Sequence, residues 1–398
     1  MGSPIARFHR LALLSLVAAV LALLAFVLLY RPASEPPEPG VDDVFDYEDV
    51  GELTALEPLA FPTGQPRRID FHTHLHPAAL PRALAIFDEH QVGMAVNLSP
   101  VPAGPVLDLL LRMGPASGGR VVTFAGPNWN LLAADHPGER MADDLEAAVR
   151  QGARGLKISK ALGLGVPRSL DPADGGALLP IDDPLLAPLF ERAADLGVPV
   201  AIHVGDPVAF WQPLTKENER YDELSLHPEW SYFEKPVPSH RELFEQAKRL
   251  YAAHPRTRFV AVHVAGFPED LGEVARLLDA HPNVSVDIAA RVPEIGRHDP
   301  EQVRRFFLRY QDRVLFGTDL GVTRTSLMLG APLAWPEREE DVGRFFSSTW
   351  RFLETAERGF EHPTPIQGNW KISGVALPAG VLEKLYFENA ARLLRVER

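Results

Sequence analysis

The sequence predicts an α/β fold. The expected architecture is a (β/α)8 TIM-type barrel preceded by a single N-terminal transmembrane helix and an acidic, Pro-rich tether. Three observations carry that expectation. Short apolar runs alternate with helical stretches from residue 67 to the end of the chain. Histidine or aspartate recurs where several of those runs stop. A long apolar run lies near the N-terminus, ahead of a segment dominated by Pro, Asp and Glu.

Composition sets the bounds. The chain has 398 residues, 46% of them hydrophobic, enough for one large core or two smaller ones. A formal net charge of -13 argues against a nucleic-acid partner, and no polybasic patch points to lipid headgroups. There is no cysteine, which excludes disulfides, thiolate metal sites, a cysteine nucleophile and a lipoprotein-type anchor.

Leu11–Tyr30 is apolar apart from Ser15, and about 20 such residues span a bilayer as a helix. Arg7, His9 and Arg10 precede it, whereas Arg31–Pro62 holds nine acidic residues and one basic residue. The positive-inside rule then puts the N-terminus in the cytoplasm and the bulk of the chain on the extracytoplasmic side. A cleaved signal peptide is the competing reading. Its apolar core would be about 7–15 residues long; the run here is longer, and Arg31-Pro32 interrupts the cleavage region. The expected division is an anchor over 1–30, a linker over 31–66 and a barrel domain over 67–398. The linker reads as a solvated spacer, although Phe45 and Tyr47 could pack Asp42–Glu52 onto the domain.

The first strand is expected over Arg68–His74. Others follow at Gln91–Ser99, Arg120–Asn128, Ala153–Ser159, Val198–Val204, Arg258–Ala265, Asn283–Ala290 and Arg313–Asp319. Most are rich in Val, Ile and Phe with little alternation, as strands buried on both faces are. Helices are expected at Ala78–His90, Pro105–Arg112, Gly138–Gln151, Pro184–Leu196, Ser239–Ala253, Glu269–Ala280, Pro300–Tyr310 and Ala379–Leu394. Regular βα alternation implies a parallel sheet with right-handed crossovers, and eight repeats match a closed barrel. An open doubly wound sheet has less support, because no G-x-G-x-x-G or P-loop is present.

Two insertions break the rhythm. Gly205–Pro238 carries Trp211, Tyr221, Trp230, Tyr232 and Phe233; Leu320–Pro378 carries Trp335, Trp350 and Trp370. Both follow strands and so lie on the face that carries barrel active sites. They read as a substrate wall or lid, or else as excursions packed down by their own aromatics.

The strand ends carry the chemistry. In Ile69-Asp70-Phe71-His72-Thr73-His74, residues i and i+2 share a face, so His72 and His74 present two imidazoles together. Lys157 ends the fourth run, His203 the fifth, His263 the sixth and Asp319 the eighth. In a barrel these ends converge on one mouth. Nitrogen and oxygen donors converging with an open position describe a catalytic divalent-metal site.

The motifs IDFHTH, AIHVGDP, VAVHVAG and LFGTD, with the closing Leu382–Leu393 element, resemble the amidohydrolase superfamily. More narrowly they resemble the amidohydrolase-2 branch, which includes aminocarboxymuconate-semialdehyde decarboxylase. The likeness runs from about Arg67 to Leu394. It implies His72, His74, His203 and Asp319 as metal ligands, with Asp319 also orienting or deprotonating water. It implies His263 as a general acid/base or polarising group beside the metal. One divalent ion is expected, zinc first, with manganese or iron as alternatives; zinc makes hydroxide available near neutral pH.

Other residues remain open. Lys157 could be a carboxylated bridging ligand, contact an anionic substrate, or pair with a carboxylate. Arg291 could clamp a substrate carboxylate or form a salt bridge. Asn128 and Trp129 could line the pocket, as could Trp211. His76 reads as a loop residue, and His227, His240, His254, His281 and His298 read as surface.

The expected activity is hydrolysis of a C–N or C–O bond in a small molecule through a metal-activated water. The alternatives are a non-oxidative decarboxylase or hydratase and a non-catalytic membrane-tethered binding domain. Expected partners are a small-molecule substrate and the membrane, with a homodimer left open.

Overall fold

A computed structural model describes residues 56–171, 176–331 and 338–397. The expected anchor Leu11–Tyr30, the tether up to residue 55 with Phe45 and Tyr47, and Trp335 lie outside the described residues. Among the described residues no helix is long and apolar enough to cross a membrane.

Eight strands build the centre: β1 (Ile69–Leu75), β2 (Met94–Asn97), β3 (Val121–Thr123), β4 (Leu156–Ile158), β5 (Val200–Ile202), β6 (Phe259–Ala261), β7 (Val284–Asp287) and β8 (Val314–Leu315). β1, β2 and β3 pair in parallel, as do β4 through β8. Two sets of backbone bonds join these sheets into a closed barrel. Between β3 and β4, Ala125 N donates to Gly155 O (2.9 Å) and Lys157 N to Ala125 O (2.7 Å). Between β8 and β1, Phe71 N donates to Phe316 O (2.9 Å), and Leu320–Val322 then pairs in parallel with Thr73–Leu75. β2 to β6 are buried along their whole length, which accounts for their nearly continuous apolar sequence.

The outer helices are α1 (Leu80–Glu89), α2 (Pro105–Leu111), α3 (Pro137–Gln151), α4 (Ala187–Asp195), α5 (His240–Ala253), α6 (Leu271–Ala280) and α7 (Pro300–Arg309). Their starts have local causes. Ser239, Asp270 and Asp299 each accept backbone N–H bonds of the first turn, and Pro stands at the first position of α2, α3 and α7. A sixteen-residue helix that the sequence reading left inside the second insertion, α8 (Glu339–Glu354), buries Val342, Phe345, Phe346, Phe352 and Leu353.

The chain closes with a helical run from Ala379 to Leu394, interrupted by a π-turn at Lys384–Glu388. There Leu385 O accepts from Phe316 N (3.0 Å). Asn389 Nδ2 donates to Gln311 O and Val314 O (both 2.8 Å). The closing Asn-Ala-x-Arg-Leu element therefore pins β8, the strand that leads to Asp319.

Two expectations need correcting. Residues 56–66, read as the end of a tether, are built onto the barrel. Leu59–Ala60 pairs in parallel with Val396–Glu397, and the Phe61 ring meets Phe387 edge-on at 5.0 Å. The sixth run, read as a strand to Ala265, stops at Ala261, because His263, Val264, Ala265 and Gly266 all have positive φ.

Candidate metal centre

The C-terminal strand ends bring a histidine–aspartate group together. β1 supplies His72, which is fully buried, and His74, whose side chain is 31% exposed. Their rings lie 5.4 Å apart. Asp319 Oδ1 is 3.5 Å from His72 Nε2 and 3.2 Å from His74 Nε2. The His263 ring packs 4.7 Å from His72 and 4.3 Å from His203. His72, His263 and Asp319 present ligand atoms within 4.8 Å of one another and can hold one divalent ion. His74 and His203 fall outside that tightest group but touch it.

Local backbone places these side chains. Asp319 has φ 64° between β8 and Leu320, and its N–H donates to His72 O (2.8 Å). Asp70 staples the same junction by accepting from His72 N (3.1 Å), Thr318 N (3.0 Å) and Thr318 Oγ1 (2.6 Å). Gly317 packs tightly here: a Cβ would lie 3.0 Å from His72 Cβ and 3.2 Å from Ala289 Cβ. His263 opens a left-handed turn. For a non-Gly residue that conformation costs about 1–2 kcal/mol, and Val264 is β-branched as well. At its end, a Cβ on Gly266 would lie 2.0 Å from Val204 O. The turn is held by His263 N donating to Asp287 Oδ1 (2.7 Å) and by His240 Nε2 donating to Gly266 O (2.7 Å). Strain held by its surroundings is common at functional sites. His240, expected at the surface, is buried for this purpose.

The electrostatics favour metal binding. Burial, then the Lys157 ammonium, lowers the His72 imidazole below its ordinary pKa. Burial pushes His203 and His263 well below theirs, with neighbouring cations adding to it. These imidazoles are therefore neutral at pH 7, with lone pairs to offer. Burial alone would raise the Asp319 carboxyl, but His72, His74 and His263 beside it outweigh burial and hold it well below the carboxylate range. His72 Nδ1 donates to Asp287 Oδ2 (2.8 Å) and His263 Nδ1 to Ala289 O (2.8 Å). That leaves each Nε2 as an acceptor. His203 Nε2 is buried with no hydrogen-bond partner, a costly state unless something binds it. Neutral imidazole and carboxylate donors, one of them an orphan, fit a zinc- or manganese-type ion.

Above this group lies a cavity of about 330 Å³. His203, His263 and Asp319 line it together with Phe210, Trp230 and Tyr232 from the first insertion and Gln367 from the second. Arg291 lines it too. Its side chain is buried, Nη1 donates to Ala290 O (2.9 Å), and Nε has no partner. Lys157 lies behind the cavity, buried, with Nζ 3.4 Å from His72 Nε2; burial brings its pKa down to about 8. Trp129 and Trp211 are not among the lining residues. Trp129 opens a 3-10 turn that Asn128 caps. Trp211 packs behind the wall, 4.6 Å from the Tyr232 ring, and donates to Pro238 O (3.0 Å). His76 caps the next turn by accepting from Ala78 N (3.2 Å).

Three residues escaped the sequence reading. Asp287 lies inside an apolar run and orients His72. Asp206 accepts from Lys160 (2.7 Å) and Tyr232 (3.1 Å) at the cavity wall. Gln367 arrives from 164 residues beyond His203, so no local pattern could mark it.

The profile of the Amidohydrolase family matches residues 119–396. That span holds His203, His263 and Asp319; His72 and His74 precede it. Among solved structures, the chain is similar to 2,6-dihydroxybenzoate decarboxylase from Rhizobium, at 14% identity over 83% of this chain and 99% of that one, with a TM-score of 0.49. It is similar to a dihydroxybenzoic acid decarboxylase from Polaromonas sp. JS666, a structure with bound manganese and 2-nitroresorcinol, at 13% identity over 84% and 98% of the two chains, TM-score 0.49. A third likeness is 5-carboxyvanillate decarboxylase from Sphingomonas paucimobilis, at 14% identity over 83% and 99%, TM-score 0.45. No curated protein matches the sequence. The family profile spans well over half of the chain and includes His203, His263 and Asp319, so the chain belongs to the amidohydrolase family and is an enzyme of it.

Proposed function

We propose that this enzyme hydrolyses a C–N or C–O bond of a small anionic molecule. We propose further that His72, His74, His203 and Asp319 hold its divalent ion, zinc first, and that Leu11–Tyr30 anchors it with the barrel on the extracytoplasmic side. The observation that carries the hydrolytic reading is Asp319, a carboxylate kept ionised at the cavity floor among imidazoles. A divalent ion in this group would supply Lewis-acid polarisation of water and of a substrate carbonyl. Asp319 takes the proton that water gives up as its oxygen attacks the carbonyl carbon. His263, whose Nε2 is a bare acceptor, stands beside it to relay that proton from Asp319 to the departing nitrogen or oxygen. Arg291 pairs with the anionic group of the substrate, and the Trp230–Tyr232 wall keeps bulk water out.

A second reading is decarboxylation, favoured by Arg291 facing the same cavity. There the substrate's C–C bond breaks, carbon dioxide leaves, and the carbon that keeps the electron pair takes up a proton. Turnover of a panel of unsaturated carboxylates, lactones and cyclic amides in H2 18O separates the two. Hydrolysis places the label in the product. Release of carbon dioxide with unlabelled product supports decarboxylation instead, and no metal-dependent turnover of any panel member contradicts both.

A further inference from the structure

We infer that Asp287 is a positioning residue that fixes His72 as its Nδ1–H tautomer and holds His263 in its left-handed turn. Asp287 ends β7 and is fully buried. Its two oxygens have separate duties. Oδ2 accepts from His72 Nδ1 (2.8 Å), two strands away on β1. Oδ1 accepts from His263 N (2.7 Å) and from Ala289 N (3.2 Å). Oδ1 is taken by two backbone N–H groups and Oδ2 faces Nδ1, and a carboxylate oxygen accepts, so the hydrogen of this bond sits on Nδ1. Nε2 is then a lone pair, and Lys157 Nζ, 3.4 Å away, is placed to donate to it. One residue thus sets the donor atom of β1 and the backbone of the turn after β6 together. A carboxylate behind a metal-binding histidine raises its basicity and fixes its ring.

The substitution Asp287→Asn separates this role from packing, because it preserves shape. An amide has one oxygen and one NH2 group. If the oxygen keeps His263 N, the NH2 faces His72 Nδ1 and drives the proton to Nε2, the atom the metal needs. If the oxygen turns to His72, the left-handed turn loses its bond. Either way the site is damaged while the volume is kept.

The test has two parts. In metal-free wild-type protein, nitrogen-15 NMR of the imidazoles should show His72 protonated on Nδ1 and bare on Nε2. Zinc affinity, measured by chelator competition, should fall about 10–100-fold in Asp287→Asn. Finding His72 protonated on Nε2 in the wild type overturns the inference, whether or not the variant folds. So does a variant with a lower melting temperature but unchanged zinc affinity, which would assign Asp287 to stability alone. The affinity arm rests on the metal ligands proposed above; the tautomer arm does not, and neither depends on which bond the enzyme breaks.

Discussion

Arg220 and Glu294 form an ion pair sealed from solvent, with side-chain exposures of 1% and 0%. Arg220 also donates to Glu223 Oε2 (2.7 Å). Arg220 comes from the first insertion, and Glu294 from the short helix that follows Arg291. The pair therefore ties the aromatic cavity wall to the loop that bears the candidate clamp. Removing one member of a buried pair leaves an uncompensated charge, at about 3–5 kcal/mol. Glu294→Leu should lower the urea midpoint by less than this, because Arg220 keeps Glu223 as a partner. Arg220→Met, which strands two carboxylates, should be recovered in part by adding Glu294→Leu. Additive losses in that double-mutant cycle would rule out the coupling.

Arg291→Ala should weaken binding of small carboxylates by roughly tenfold to a hundredfold, the worth of a charged hydrogen bond of about 1.5–3 kcal/mol. Methyl esters of the same molecules should lose little. Equal losses for acid and ester, read by calorimetry, would mean that Arg291 does not meet the carboxylate.

Lys157 sets up a test of the ion's surroundings. Its ammonium stands 3.4 Å from His72 Nε2, where it repels an incoming cation. Near 4 Å such repulsion is about 4 kcal/mol at an effective dielectric constant of 20. Lys157→Met should therefore raise zinc affinity, by tenfold or more, with one ion per chain retained. A drop in affinity or the loss of a second ion would instead make Lys157 a ligand.

Acid should destabilise the fold. Burial lowers the pKa of His240 and His362, as it does at His72, His203 and His263. The unfolded chain then binds more protons, so stability is fully present above the ordinary histidine value of about 6.5 and is lost as pH falls through it. Asp70 runs the other way. Burial pushes its carboxyl up to about 7, so its contribution is present below the unfolded value and lost as pH rises toward 7. Five histidines outweigh one carboxyl, and urea midpoints should fall from pH 7 to pH 5. His240→Gln, which can keep a donor to Gly266 O, should flatten part of that slope. A midpoint that rises over the same range would contradict the balance.

Much of this site was legible because barrel strands end at one mouth. A polar residue closing an apolar run, as His203 and Asp319 do, reveals its position without any knowledge of loops. The alternation in His72-Thr73-His74 likewise fixed a shared face. What was hidden has physical reasons. Nothing local favours a left-handed turn at Val264; it exists because Asp287 and His240 hold it from other elements. Asp287 lay inside the expected strand Asn283–Ala290, with nothing local to mark it beside the more conspicuous Arg291. The Phe345, Phe346, Phe352 and Leu353 face of α8 has helical spacing, but it lay inside a segment read as a loop excursion. His240 sits at the first turn of α5, normally an exposed place, and is buried because the strained carbonyl of Gly266 needs its N–H.

The central claim is a site for one divalent ion at the barrel mouth. Elemental analysis of the purified protein beside His72→Ala and Asp319→Ala tests it most directly. The account predicts about one zinc or manganese ion per wild-type chain, lost from both variants while their circular dichroism stays native. No ion in the wild type after reconstitution with zinc and with manganese, or equal metal content in all three proteins, would contradict it.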